Sequence, residues 1–133
     1  MGAGGQPVIH HVEVWVPDLA ETERSWGWLL TELGWTEFQR FPGGVSWRHG
    51  TGYVVFEQSP ALTGDRHDRC APGLNHLALH AGTRADVDRL VAQAPARGWT
   101  LMFADRHPYA GGPDTYAAYL HDTQGYEVEL VAG

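Results

Sequence analysis

Four residues of this chain have the types expected of a metal site. His11 and His76 offer imidazoles, and Glu57 and Glu129 offer carboxylates. Glu57, His76 and Glu129 lie 46, 65 and 118 residues after His11. Neutral imidazole suits zinc, nickel, cobalt or iron, and carboxylates add hard oxygen donors that also suit manganese. Four protein ligands leave one or two positions free in a five- or six-coordinate shell, the feature that separates catalytic metal sites from structural ones. Without a cation, two carboxylates crowded into a cleft repel, and one tends to bind a proton. The chain has 8 histidines, an excess that fits metal or acid–base work.

Strand periodicity gives these four a reason to meet. Alternate strand residues share a face. In "HHVEVWV", Val12, Val14 and Val16 share a face with His10, whereas His11, Glu13 and Trp15 share the other. His10 is therefore expected to be a packing or edge residue. In "NHLALHA", Leu77 and Leu79 oppose His76, Ala78 and His80. In "YVVFEQ", Val54 and Phe56 oppose Tyr53, Val55 and Glu57; in "YEVELV", Val128 and Leu130 oppose Glu127 and Glu129. If helices cover the apolar face, all four candidate ligands project from the other.

The helices have marked ends. Asp18 with Glu21 resembles a capping box, and Trp26, Leu29, Leu30 and Leu33 form a helical stripe that stops at Gly34. Thr83 with Asp86 repeats the start, and Val87, Leu90, Val91 and Ala94 repeat the stripe, up to Gly98. A histidine-bearing strand precedes each helix and a Gly-Trp follows it. This self-similarity predicts an α+β chain of two β-α-β-β-β repeats, about residues 8–58 and 74–131, forming one curved mixed sheet within a single domain. "SPALTGDRHDRCAPG" is the expected linker.

Other residues fall near the expected cleft. Glu13, Trp15 and His80 share its face. His107 and Tyr109 lie in "ADRHPYAGGPD", a loop inserted in the second repeat, and loops over a rigid sheet often touch substrate. Trp15 and Trp47 suit a flat or cationic ligand.

Composition narrows the classes. The formal net charge of −7 disfavours nucleic acid as a partner. No basic cluster invites an anionic membrane, and no apolar run is long enough to span one. Cys70 is the only cysteine, so no intrachain disulfide forms, which fits a reducing cytoplasm. Residues 1–7 read as a loose tail.

In "HHVEVWVPDL", "FEQ", "GLNHLALHAG" and "DTQGYEVELV" the chain resembles the vicinal oxygen chelate superfamily. That group includes glyoxalase I, fosfomycin and bleomycin resistance proteins, methylmalonyl-CoA epimerase and extradiol dioxygenases. The resemblance spans about residues 8–131. Thr123 and Gln124 replace the central pair of the usual turn before the last strand. The family's metal positions fall on His11, His76 and Glu129, and the glyoxalase-like fourth on Glu57. The resemblance implies a divalent metal (nickel, zinc, manganese, cobalt or iron), a small-molecule substrate and a homodimer. It implies isomerase or lyase chemistry, with Glu57 or Glu129 moving a proton. Its alternatives are an antibiotic-sequestering protein and an iron dioxygenase built on His11, His76 and Glu129. Fold follows from the resemblance more firmly than activity does.

Overall fold

The computed structural model describes residues 8–133, so the expected tail at 1–7 lies outside the described residues. Two compact units follow one another, the first ending at Asp65 and the second running from Arg66 to Gly133.

The first unit contains β1 (His11–Trp15), α1 (Leu19–Thr22), α2 (Trp28–Glu32), β2 (Thr36–Phe41), β3 (Gly44–His49) and β4 (Gly52–Glu57). Asp18 caps α1 through its side chain, which accepts from the Glu21 N–H at 3.1 Å. Between α1 and α2 the chain widens into one π-helical turn, Glu23–Gly27. Here Gly27 lies flat against the Trp47 ring: an added Cβ would come within 3.0 Å of Trp47 Cζ2. Trp26, Leu29 and Leu30 are buried, as the stripe predicted, with Trp26 against Phe56.

The second unit contains β5 (Leu77–His80), α3 (Arg84–Gln93), β6 (Thr100–Leu101), β7 (Ala117–His121) and β8 (Glu127–Val131). Thr83 and Asp86 form the predicted capping box. Val87, Leu90 and Ala94 are buried, as are Val128, Leu130 and Leu120 of the sheet beneath.

The duplication is plain in the sheets. The strand orders β1-β4-β3-β2 and β5-β8-β7-β6 are the same, each with one parallel pair and two antiparallel pairs. The architecture is the predicted α+β one, with two four-stranded mixed sheets.

Two elements differ from expectation. β2 carries no clean alternation, because a bulge between Glu37 and Arg40 shifts its register and sets Phe38 and Phe41 three apart. All six of its residues are exposed, so no buried face marked it in the sequence. β6 is only two residues long. Phe103 takes a positive φ of 55°, turning the chain out of the sheet into the loop that returns at β7.

Candidate functional site

In the second unit, β5 and β8 pair in parallel with Ala78 opposite Glu129. His76 lies just before β5, on Ala78's face. Its Nε2 is 3.2 Å from Glu129 Oε1, and its Nδ1 is 2.7 Å from Asn75 Oδ1. The Asn75 amide cannot be turned round, because its Nδ2 donates to the Arg69 carbonyl at 2.9 Å. Asn75 Oδ1 only accepts, so His76 Nδ1 carries a proton. His76 Nε2, the ring's other nitrogen, faces a carboxylate oxygen of Glu129. Tyr119, opposite Glu129, hydrogen-bonds the same carboxylate. Burial first, and then the Glu129 carboxylate, push the Tyr119 phenol above its usual range.

Glu127 lies two residues before Glu129 on the same face and is 3% exposed. Its Oε1 is 3.0 Å from Arg69 Nη1, yet has no hydrogen-bond partner. The guanidinium is close enough to neutralise the carboxylate but out of line to donate to it.

In the first unit, His11 begins β1 and its ring stacks on Tyr53 at 4.8 Å, with 5° between the planes. Phe38 packs on Tyr53 at 5.2 Å, and the Arg48 guanidinium lies 4.7 Å from the Phe38 centroid. His10 is not packed among the valines. It precedes the strand, is exposed, and shares a 2.8 Å hydrogen bond between its Nδ1 and that of His11. It therefore orients His11 and leaves His11 Nε2 free.

Glu57 is not brought to His11. The β1–β4 register sets Tyr53 opposite His11 and Glu57 opposite Trp15. Four strand residues separate the two levels, about 13 Å. Glu57 instead hydrogen-bonds Glu13, which lifts the Glu57 carboxyl above its usual range. Glu13 Oε2 also accepts from Trp15 Nε1 at 2.7 Å. In the first repeat the register counterpart of Glu129 is Val55, opposite Glu13; in the second, Ala78 stands where Glu13 does. The acidic residue changes strands between the repeats. Spacing along the chain hides this exchange, because both last strands contain a glutamate.

Four expected contact residues lie elsewhere. Trp47 is 5% exposed and packs on Phe56 and Gly27 beneath the helices. It pairs with Val54, on the covered face, so it belongs to the core and not to the open face. Tyr109 turns its ring edge to Tyr116, whose hydroxyl donates to Asp88 of α3, which places Tyr109 on the helix side. His107 is half-buried in its loop and hydrogen-bonds neither His76 nor Glu129. From that loop Gly111 and Phe103 approach Tyr119 instead. His80 is exposed and pairs with Val131, at the far end of β5 from His76. Sequence reading missed Asn75, Tyr119 and Arg69. Only the position of Tyr119 in the alternation of "TYAAYL" hinted at its face.

Among the described residues no group of three or more histidine, cysteine, aspartate or glutamate side chains converges to hold a metal ion. No helix is long and apolar enough to cross a membrane.

Comparison with known proteins agrees with this architecture. A Bacillus subtilis (strain 168) protein, YqjT, itself uncharacterized, is 43% identical over 126 residues, covering 93% of this chain and 98% of that one. The crystal structure of a candidate glyoxalase from Bacillus halodurans is 42% identical with a TM-score of 0.89, covering 96% of this chain and 97% of that one. A fosfomycin resistance protein, FosX, from Listeria monocytogenes, solved with Mn(II) and a dihydroxypropylphosphonic acid, shares the fold at a TM-score of 0.64 and 16% identity, over 96% and 91% of the two chains. Residues 10–119 match the sequence pattern of one family. By this match and its duplicated sheet order, the chain belongs to the Glyoxalase/Bleomycin resistance protein/Dioxygenase superfamily.

Proposed function

We propose that this chain is a divalent-metal-dependent enzyme of the glyoxalase type, acting on a small oxygen-rich substrate. The observation that carries the reading is His76 Nε2 facing Glu129 Oε1 at 3.2 Å, with the ring's other nitrogen fixed by Asn75. That second hydrogen bond is the usual support of a metal-bound imidazole. His76 and Glu129 would hold the ion. A bound divalent cation supplies Lewis acidity to substrate oxygens. Tyr119 holds the Glu129 carboxylate by its phenolic hydrogen bond and fixes which oxygen faces His76. Glu57 hydrogen-bonds Glu13 and lies away from His11, so Glu57 is not a fourth ligand in this proposal. A homodimer belongs to the same reading, checked by the mass in solution.

Elemental analysis of protein purified without chelator tests the proposal. About one divalent ion per chain is expected, with loss of most of it in His76→Ala and Glu129→Gln proteins that keep their circular dichroism. Undiminished metal in both folded variants would sink it.

A second reading gains from the same geometry. With Glu57 held by Glu13, an iron dioxygenase needs no role for that residue. Iron as the resident metal, with oxygen uptake on a catechol, would favour that activity. Sequestration of a flat antibiotic loses one of its two tryptophans, since Trp47 is buried.

A further inference from the structure

The second unit contains a cavity of about 510 Å³. Its walls include Arg66, Arg69, Cys70, Met102 and His121, with Asp68 at the turn. His121 is paired with Glu127, and the Met102 N–H bonds the Tyr119 carbonyl, so both walls sit on β7 or beside it. The chain carries nine Lys+Arg residues, all of them arginine, and two meet here.

The donors of Arg69 are uncommitted. Glu127 holds its guanidinium by charge at 3.0 Å without a hydrogen bond, and among the described residues no other side chain bonds its N–H groups. A buried carboxylate thus anchors the fork while its remaining edges, 31% exposed, border the cavity. Arg66 gives one N–H to the Thr123 carbonyl at 2.9 Å and pairs with no carboxylate. Asp68 is turned inward on its own loop, its Oδ1 accepting the Cys70 N–H at 2.9 Å. The wall is also tied to the candidate metal ligand: the Arg69 carbonyl accepts from Asn75, and Asn75 accepts from His76.

We propose that this cavity is an anion subsite, in which Arg69 and Arg66 grip a carboxylate or phosphate group carried on a short apolar chain. Planar guanidinium forks suit both oxyanions. Met102 supplies an apolar wall for the chain. As the place for a substrate's charged end it rests on the metal reading above; as an anion site it does not.

Cys70, the only thiol, reports on the cavity it lines. Its alkylation rates with iodoacetate and with iodoacetamide are compared in chelator-treated protein and in urea-unfolded chain. The anionic-to-neutral rate ratio should rise about threefold on folding, short of the roughly tenfold lower bound for a cleft lined by one sign. Inorganic phosphate and short fatty acids, added separately, should each slow native-state alkylation, and the stronger protector names the oxyanion. Arg66→Gln should lower the ratio. So should the double variant Arg69→Met with Glu127→Leu, which removes the ion pair as a unit and leaves no buried carboxylate unpaired. An unchanged ratio on folding, or no protection by either anion, overturns the proposal. Because chelated protein is used, that failure is separate from a failure of metal binding, which elemental analysis reads.

Discussion

At the scale of single residues, neighbours in space decide roles that residue type leaves open. Glu57 and Glu129 are both glutamates in last strands, but one meets Glu13 and the other meets His76. The Glu57 carboxyl, raised by its hydrogen bond to Glu13, has a consequence for stability. A folded-state value above the ordinary 4.5 means that the folded chain holds the proton longer than the unfolded one. The contact therefore stabilises at low pH, and its contribution is lost as pH rises through the raised value. Melting temperatures of wild type and Glu57→Gln, taken from about pH 4 to about pH 8, should show the variant gaining on wild type as pH rises. Parallel curves would deny that the Glu13 hydrogen bond raises the Glu57 carboxyl.

At the scale of elements, the helix in two pieces over β3 and β4 explains why an aromatic residue expected in the cleft is structural. Trp47 fills the space left by Gly27 and touches Phe56, all on the covered face. Truncating such a buried ring costs about 3–5 kcal/mol. Trp47→Ala should unfold at correspondingly lower urea while keeping its metal content, if it folds; Trp47→Phe should lose less. Loss of ligand binding at full stability would return Trp47 to the site. The linker side of the second unit is similarly constrained. Gly125 takes φ +96°, and an added Cβ would run into the His67 carbonyl, which also receives the chain where His67 N–H bonds Gln124. The loop bearing Arg66 and Arg69 is thereby fixed to the β7–β8 turn.

At the scale of the whole chain, one β-α-β-β-β unit occurs twice, with the same strand order and different chemistry. The second unit contains the buried acids Asp122 and Glu127. Tyr126 there stacks on His67 at 4.4 Å, and its phenol is pushed up to about 12, first by burial and then by the Asp122 carboxylate. The unfolded chain ionises this group near 10.0, so stability falls as pH rises from there towards 12. Tyr126→Phe should flatten the alkaline arm of the stability curve. An equally steep arm in the variant would assign it to other groups.

Much of this molecule was legible from its sequence. Helix caps at Asp18 and Thr83, buried stripes at spacings of three and four, and the alternating faces of β1, β5 and β8 are local properties written in adjacent residues. The repeat, and with it the fold, follows from finding them twice. What the sequence could not carry was register. A shift of two residues between paired strands leaves every residue on its own face, so periodicity cannot detect it. That shift separates Glu57 from His11 and gives Val55 the place that Glu129 holds in the other repeat. Nor could spacing place Asn75, Tyr119 and Arg69 around His76 and Glu129, since those contacts join β5, β7, β8 and a loop distant in the chain. Faces are decided by neighbours in sequence, and partners by the hydrogen-bond ladder, which exists only once the sheet has formed.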